Sequence, residues 1–294
     1  MTDTAIALYK ARSELGEIIY HLVRNPLGLA GLIIVVAIVG SALLAPWIAP
    51  YDPVAMNIQD RLQGPNAAHL LGTDQIGRDT FSRVIWGGRV ALKVALPTIA
   101  GAVAFGLLLG MIAGYGPKWL DSLIVLFFDT VRSFPTVMFA LAVVALVGPS
   151  LNTVIFVIMV TSIPTYGRVV RTLTQSLKQS EFITAERSLG AKVPRIMGIH
   201  ILPNVLGPLA VLAAMDIPTV VGLEAGLSFL GMGVKPPTPS WGVLLADGYA
   251  LIRNTPWLII AGGIPLILTT LGFTFLGEAL RDVVDPKLRG KGGK

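Results

Sequence analysis

Long apolar stretches alternate with polar ones along the chain, and this alternation sets its plan. Leu27–Ile48 runs for over 20 residues without a charge, enough to cross a hydrocarbon core of about 30 Å. It is too long for a cleaved signal peptide and reads as an uncleaved first span. Val90–Ala113, Leu123–Val147, Leu151–Tyr166, Val205–Leu230 and Trp257–Leu280 complete an expected set of six. The pattern predicts an all-α integral membrane protein with six transmembrane helices. Residues 1–26 are amphipathic, with Leu8, Leu15, Ile18, Ile19 and Leu22 opposite Lys10, Arg12, Glu14 and Glu17. This segment is expected to lie on the membrane surface.

The spans carry internal marks. Gly106, Gly110 and Gly114 recur every four residues in the second, a spacing that lets another helix approach closely. The third carries Asp129 and Arg132 one turn apart, read as an ion pair that either staples the helix or serves a buried function. Pro208 and Pro218 should kink the fifth, which also holds Asp216 and Glu224. These two acids are candidates to line a translocation path, or else to hydrogen-bond between helices.

Two connections stand out among the polar stretches. Residues 49–88 form a loop whose tail is dense in locally bonding groups: Gly72, Thr73, Asp74, Gly77, Arg78 and Asp79. Asp74 and Thr73 suit side-chain turns and Asp79 suits a helix start, so a structured lid is expected. Residues 231–256 are proline-rich and read as a second loop on the same side.

Composition agrees with the plan and narrows it. The chain is 53% hydrophobic and 14% charged, far below the charge of a soluble domain. Its net charge of +6 follows the loops rather than one face, which argues against nucleic-acid binding. With the N-terminus inside, the inner segments hold about twice as many Lys and Arg as the outer ones, so the reading is N-in and C-in. There is no cysteine, and the three histidines lie far apart without HExxH, so no metal site is expected. No GxxxxGK[ST] occurs, so the chain binds no nucleotide through a P-loop of its own.

The inner stretch Glu181–Asn204 is a polar island in an oily chain. It reads as two short helices around a glycine joint. Ser180 can cap the first, on which Phe182, Ala185 and Leu189 share a helical spacing. Gly190 suits the C′ position and, with Ala185, is expected to fill a tight joint. Pro194 suits the first turn of the second helix, and Pro203 opens the next apolar run.

The motifs together resemble the inner-membrane permease subunits of bacterial ABC importers for peptides and nickel, most closely the C-type dipeptide/oligopeptide permeases. Thr184-Ala185-Glu186-Arg187-Ser188-Leu189-Gly190, followed by His200-Ile201-Leu202-Pro203-Asn204, is similar to that family's EAA loop. The signature from Gly72 to Asp79, the run Leu227–Gly231 with Pro239-Ser240-Trp241-Gly242, and Asn25-Pro26-Leu27-Gly28 also match. The chain departs from the general pattern in two places: Thr184 stands at the acidic position and Glu186 at the second small one.

The resemblance implies a type I ABC importer permease fold in the bacterial inner membrane. It would comprise a core over 89–281, a cytoplasmic coupling loop over 178–204 and a tail over 282–294. It implies a heterodimer with a sister permease, two ATPase subunits that carry the ATP and Mg, and a periplasmic or lipid-anchored substrate-binding protein. This chain would bind no cofactor and catalyse nothing, with membrane lipid around it. Phe182, Thr184, Ala185, Glu186, Arg187, Gly190, Pro194, Leu202 and Pro203 would meet the ATPase. The cargo would be dipeptides or oligopeptides, with nickel or another small solute as the alternative. From other classes, an ion-coupled secondary transporter lacks a visible internal repeat, and an intramembrane enzyme lacks a nucleophile–base set.

Overall fold

A computed structural model describes Gly16 and residues 20–284. The expected amphipathic stripe and the basic tail thus fall mostly outside the described residues; Leu22, within them, is buried. The described residues are helical, with one isolated bridge between Thr73 and Asp79. The long elements are α1 (Pro26–Leu43), α2 (Thr80–Tyr115), α3 (Lys118–Ser133), α4 (Thr136–Val147), α5 (Leu151–Lys178), α6 (Glu181–Ser188), α7 (Val193–Phe229), α8 (Trp241–Ala250) and α9 (Pro256–Val284). Five of them, α1, α2, α5, α7 and α9, are long and apolar enough to cross a membrane; α3 and α4 pass the same test only together, bent by 84°, which gives six when that broken pair is counted as one span.

Helix α1 starts where Asn25 Oδ1 accepts from Leu27 N at 3.0 Å, with Pro26 in the first turn. It lies on α9 at short range, because Gly31 leaves room for the α9 backbone at Gly272 and Leu276. The expected glycine spacing in α2 does the same against α5. A Cβ on Gly106 would fall 2.6 Å from Tyr166 Cβ, one on Gly110 2.5 Å from Gly167 O, and one on Gly114 2.6 Å from Thr174 Cβ. Gly167 in turn admits the ring of Phe128 from α3. Three helices thus meet along one seam of small residues.

The boundaries differ from the sequence reading in four places. Helix α2 starts at Thr80, ten residues before the expected span, because Asp79 caps it: Asp79 Oδ2 accepts from Ser82 N at 2.7 Å. The third span is broken at Phe134-Pro135, where Phe134 turns extended, since proline resists a preceding helical residue. Helix α5 continues past Tyr166 to Lys178, carrying three basic residues out of its apolar part. The second loop contains α8, because its prolines stop at Pro239 and Ser240 then caps a helix, accepting from Val243 N at 3.2 Å. Trp241 buries its ring against Gly87 and Gly88 of α2 and donates from Nε1 to Val84 O at 2.8 Å.

The seam sets a test. Gly110→Val overfills it and should cost about 1–3 kcal/mol. Gly207→Ala, on α7 with nothing within 4 Å, should cost nothing. Thermal unfolding of the purified protein should separate the two; equal melting temperatures would mean the seam is not tight.

Candidate functional site

At one end of the bundle lies the stretch singled out as a knob. Helix α6 is anchored by Ile183, which is fully buried, while Phe182 and Leu189 are 46% and 84% exposed and Ala185 is exposed too. Ser180 sits at the N-cap, but its hydroxyl donates back to Leu177 O at 2.6 Å instead of accepting from the helix. The helix ends in a Schellman turn: Ala191 N donates to Glu186 O, Gly190 N to Arg187 O, and Gly190 takes φ +86°. The joint is open, not tight. Nothing lies within 4 Å of a Cβ built on Gly190, so its backbone angle and not its size is what the turn uses.

The second knob helix is not short. It begins at Lys192–Val193 with Pro194 in its first turn and continues without interruption into the long span. Residues Ile196–Ile201 widen to π-helical geometry just before Leu202 and Pro203, where proline has no N–H to give the ladder. The knob is therefore the first turns of α7 with α6 folded beside them.

Polar ties hold this unit to the bundle. Lys178 Nζ donates to Tyr115 O at 2.8 Å, Arg187 lies over the Tyr115 ring and Arg187 Nη2 reaches Lys178 O at 3.3 Å. Arg171 grips Asp121 with two hydrogen bonds, of 2.5 and 2.7 Å. Glu186 faces inward, 3.6 Å from His200 Nε2, and so bridges the two knob helices. Thr184 is exposed, and its hydroxyl donates to Ser180 O at 3.2 Å. Sequence reasoning missed Ile183, Tyr115 and the Glu186–His200 tie. The first was visible as an apolar residue off the Phe182–Ala185–Leu189 stripe; the others join segments far apart in the chain.

The expected Asp129–Arg132 pair does not form. Asp129 takes Arg168 of α5 at 2.6 Å, and Arg132 Nη1 donates to Thr165 Oγ1 at 2.9 Å. Arg132 lines a cavity of about 320 Å³ at the α3–α4 break, together with Thr161, Ser162, Thr165, Asp216 and Thr219. Asp216 accepts from Tyr166 Oη at 2.8 Å. Glu224 does not reach this cavity. It is 1% exposed and accepts from Ser228 Oγ at 2.7 Å.

At the other end the loop before α2 folds into a compact cap around a buried ionic cluster. Asp74 accepts from Ile76 N and Arg78 N and pairs with Arg78 Nε at 2.6 Å; Arg83 lies 3.7 Å away. Thr73 donates to Asp60 O, and His69 Nδ1 is 2.9 Å from Asp79 Oδ1. Gly77 takes φ +76° and passes against Asn57 O, with no space for a side chain. Gly72 closes in the same way on Gln63 and Trp257. Asp247 of α8, which the sequence did not single out, stands 3.7 and 3.8 Å from Arg78 and Arg83 and accepts from Gln75 at 3.1 Å. It locks the second loop to the first.

The model of the family "Binding-protein-dependent transport system inner membrane component" matches residues 106–290. The chain belongs to that family. A second model, for the N-terminal transmembrane domain of oligopeptide transport permease C, matches residues 13–65 of this permease. The permease is 40% identical over 281 residues to the dipeptide transport system permease protein DppC of Alkalihalophilus pseudofirmus, covering 96% of this chain and 92% of that one. It is 36% identical to the di/tripeptide transport system permease protein DppC of Pseudomonas aeruginosa, covering 94% and 93%. It is also 36% identical to the glutathione transport system permease protein GsiD of Pectobacterium atrosepticum, covering 92% and 90%. Among solved structures, the inward-facing MetNI methionine ABC transporter matches with a TM-score of 0.54 and 18% identity, over 68% of this chain and 96% of that one. That likeness establishes the type I permease fold, and the family places the permease in the inner membrane as a multi-pass component.

The ionic cluster makes its own prediction. Asp74→Ala would leave Arg78 and Arg83 buried with one distant carboxylate, a loss of about 3–5 kcal/mol. Limited proteolysis should then cut within residues 49–79 far faster than in the parent protein. An unchanged digestion half-life would show that the cluster does not hold the cap.

Proposed function

We propose that the chain is the permease subunit of an ATP-driven importer of dipeptides and oligopeptides, pairing with a sister permease to form the path. Two separate ATPase subunits carry ATP and Mg, and one of them meets residues 178–204 of this chain, which itself binds no cofactor and catalyses nothing. A substrate-binding protein docks on the cap formed by the loop at 49–88 and the loop at 231–256. The core is residues 89–281. N-in, C-in topology puts the knob in the cytoplasm and the cap outside, in line with the distribution of Lys and Arg.

The observation that carries this reading is the knob's exposed face. Phe182, Ala185 and Leu189 stand out from a unit tied down through Ile183, Tyr115 and Lys178. An apolar face on a rigid support suits a protein groove, and rigidity lets movement of a partner pass into α7. Because the second knob helix is continuous with α7, a push on the knob reaches Asp216 along one helix. The contact is thus apolar at its centre, flanked by Thr184, Arg187, Pro194, Leu202 and Pro203, with Glu186 turned inward to His200. The names of the relatives support peptides as cargo; glutathione, itself a small peptide, fits the same class.

Leu189→Asp places a charge at the centre of this face. Import of a dipeptide by the reconstituted complex should fall at least roughly ten-fold, and the ATPase subunits should copurify poorly. Gly190→Val strains the turn at φ +86° and should act in the same direction. Normal import by the assembled Leu189→Asp complex would refute the docking role.

A further inference from the structure

We propose that the cavity at the α3–α4 break is a zwitterion site, in which Asp216 takes the ammonium end and Arg132 the carboxylate end of a dipeptide. This rests on the peptide-importer reading above.

Depth is the first support. Thr161 and Thr165 lie 10 and 14 residues into α5, about 15–21 Å from its start, and Asp216 lies 13 residues before the end of α7, about 20 Å. With a core of about 30 Å, all three sit near its middle. The second support is exposure. Arg132, held to Thr165 at this level, is exposed. Charges cannot face hydrocarbon at that depth at low cost, so this side meets water or protein.

The third support is the chemistry of the wall. Arg132 and Asp216 line one cavity, yet among the described residues they form no ion pair with each other. Each has spare capacity. Arg132 uses Nη1 on Thr165, and a guanidinium has five N–H donors in a fork that fits a carboxylate. Asp216 holds the Tyr166 hydroxyl on Oδ2, which fixes the carboxylate and leaves Oδ1 for a second donor. Opposite charges kept apart in one space match a ligand that carries both charges at its ends. Ser162, Thr165 and Thr219 add hydroxyls that can turn to a peptide group whatever side chains it bears, while Thr161 spends its own on Val157 O and Ile158 O. The volume, about 320 Å³, lies at the small end of ligand pockets and suits two residues better than many. The half-open, singly bonded groups suit a transient stop, since a path must release what it binds.

The test uses the complete complex with Thr219→Cys, a unique thiol in this otherwise cysteine-free chain. Labelling of this chain by a charged, water-borne thiol reagent is followed with a dipeptide present at millimolar concentration. The free dipeptide should slow labelling roughly ten-fold. The same dipeptide acetylated at its amine, or amidated at its carboxyl, should slow it less, and the doubly capped one should not slow it. Adding Asp216→Asn should remove the sensitivity to N-acetylation, and Arg132→Gln the sensitivity to amidation, in complexes that still copurify with their ATPases. Equal protection by the capped dipeptide, no protection at all, or a thiol that never labels would each overturn the proposal. Uptake of labelled dipeptide by the Thr219-containing complex separates the two readings. If uptake is absent, the peptide-importer reading itself fails; if it persists without protection, only the zwitterion site does.

Discussion

The close approach of α2 and α5 is the contact on which the rest of the molecule depends. Gly106, Gly110 and Gly114 bring the two backbones together, and Gly167 extends the seam to Phe128 of α3. In lipid there is little hydrophobic gain from pairing helices, so close packing and buried polar bonds must hold them. Fixing α5 in this way fixes what it carries. Thr161 and Thr165 form a cavity wall, Tyr166 holds Asp216, Arg168 holds Asp129, and Arg171 and Lys178 tie down the knob end. A shift at the seam would therefore be felt both at mid-depth and at the knob.

The polar side of the bundle follows from the same requirement. Where α3 breaks from α4 by 84°, backbone and charges are left in a region that lipid cannot serve. Their partners come from α5 and not from the same helix: Thr165 for Arg132 and Arg168 for Asp129. The opposite end solves a harder problem, because its charges are sealed. Arg83, 1% exposed, stands beside Asp74 and Asp247, contributed by two different loops. A buried cluster of this kind is weak evidence for stability; in this cap it sets which loop meets which.

Much of this was legible in the chain. The number of spans, the glycine seam, the C′ role of Gly190 and the helix start at Asp79 all rest on local rules of length, spacing and backbone angle. The resemblance carried by Thr184–Gly190 and Gly72–Asp79 pointed to the family that the comparisons then established. The errors share a cause. Pairing Asp129 with Arg132 assumed that neighbours on one helix find each other, whereas each meets a group on α5. Reading 231–256 as loop let the prolines outweigh Ser240, whose cap starts α8 directly after them.

What the sequence by itself determined is what depends on neighbours along the chain: apolar runs long enough to span, caps, glycine turns and the sorting of charge by loop. What only the tertiary structure decided is which partner each polar group meets. Asp216 faces a cavity and Glu224 a sealed serine, although both are acids on the same helix, eight residues apart. Glu186 turns to His200 while Leu189, three residues on, stands in the open. The reason is physical. A side chain's electrostatic surroundings come from whichever helices the packing brings to it, and no local pattern encodes that choice.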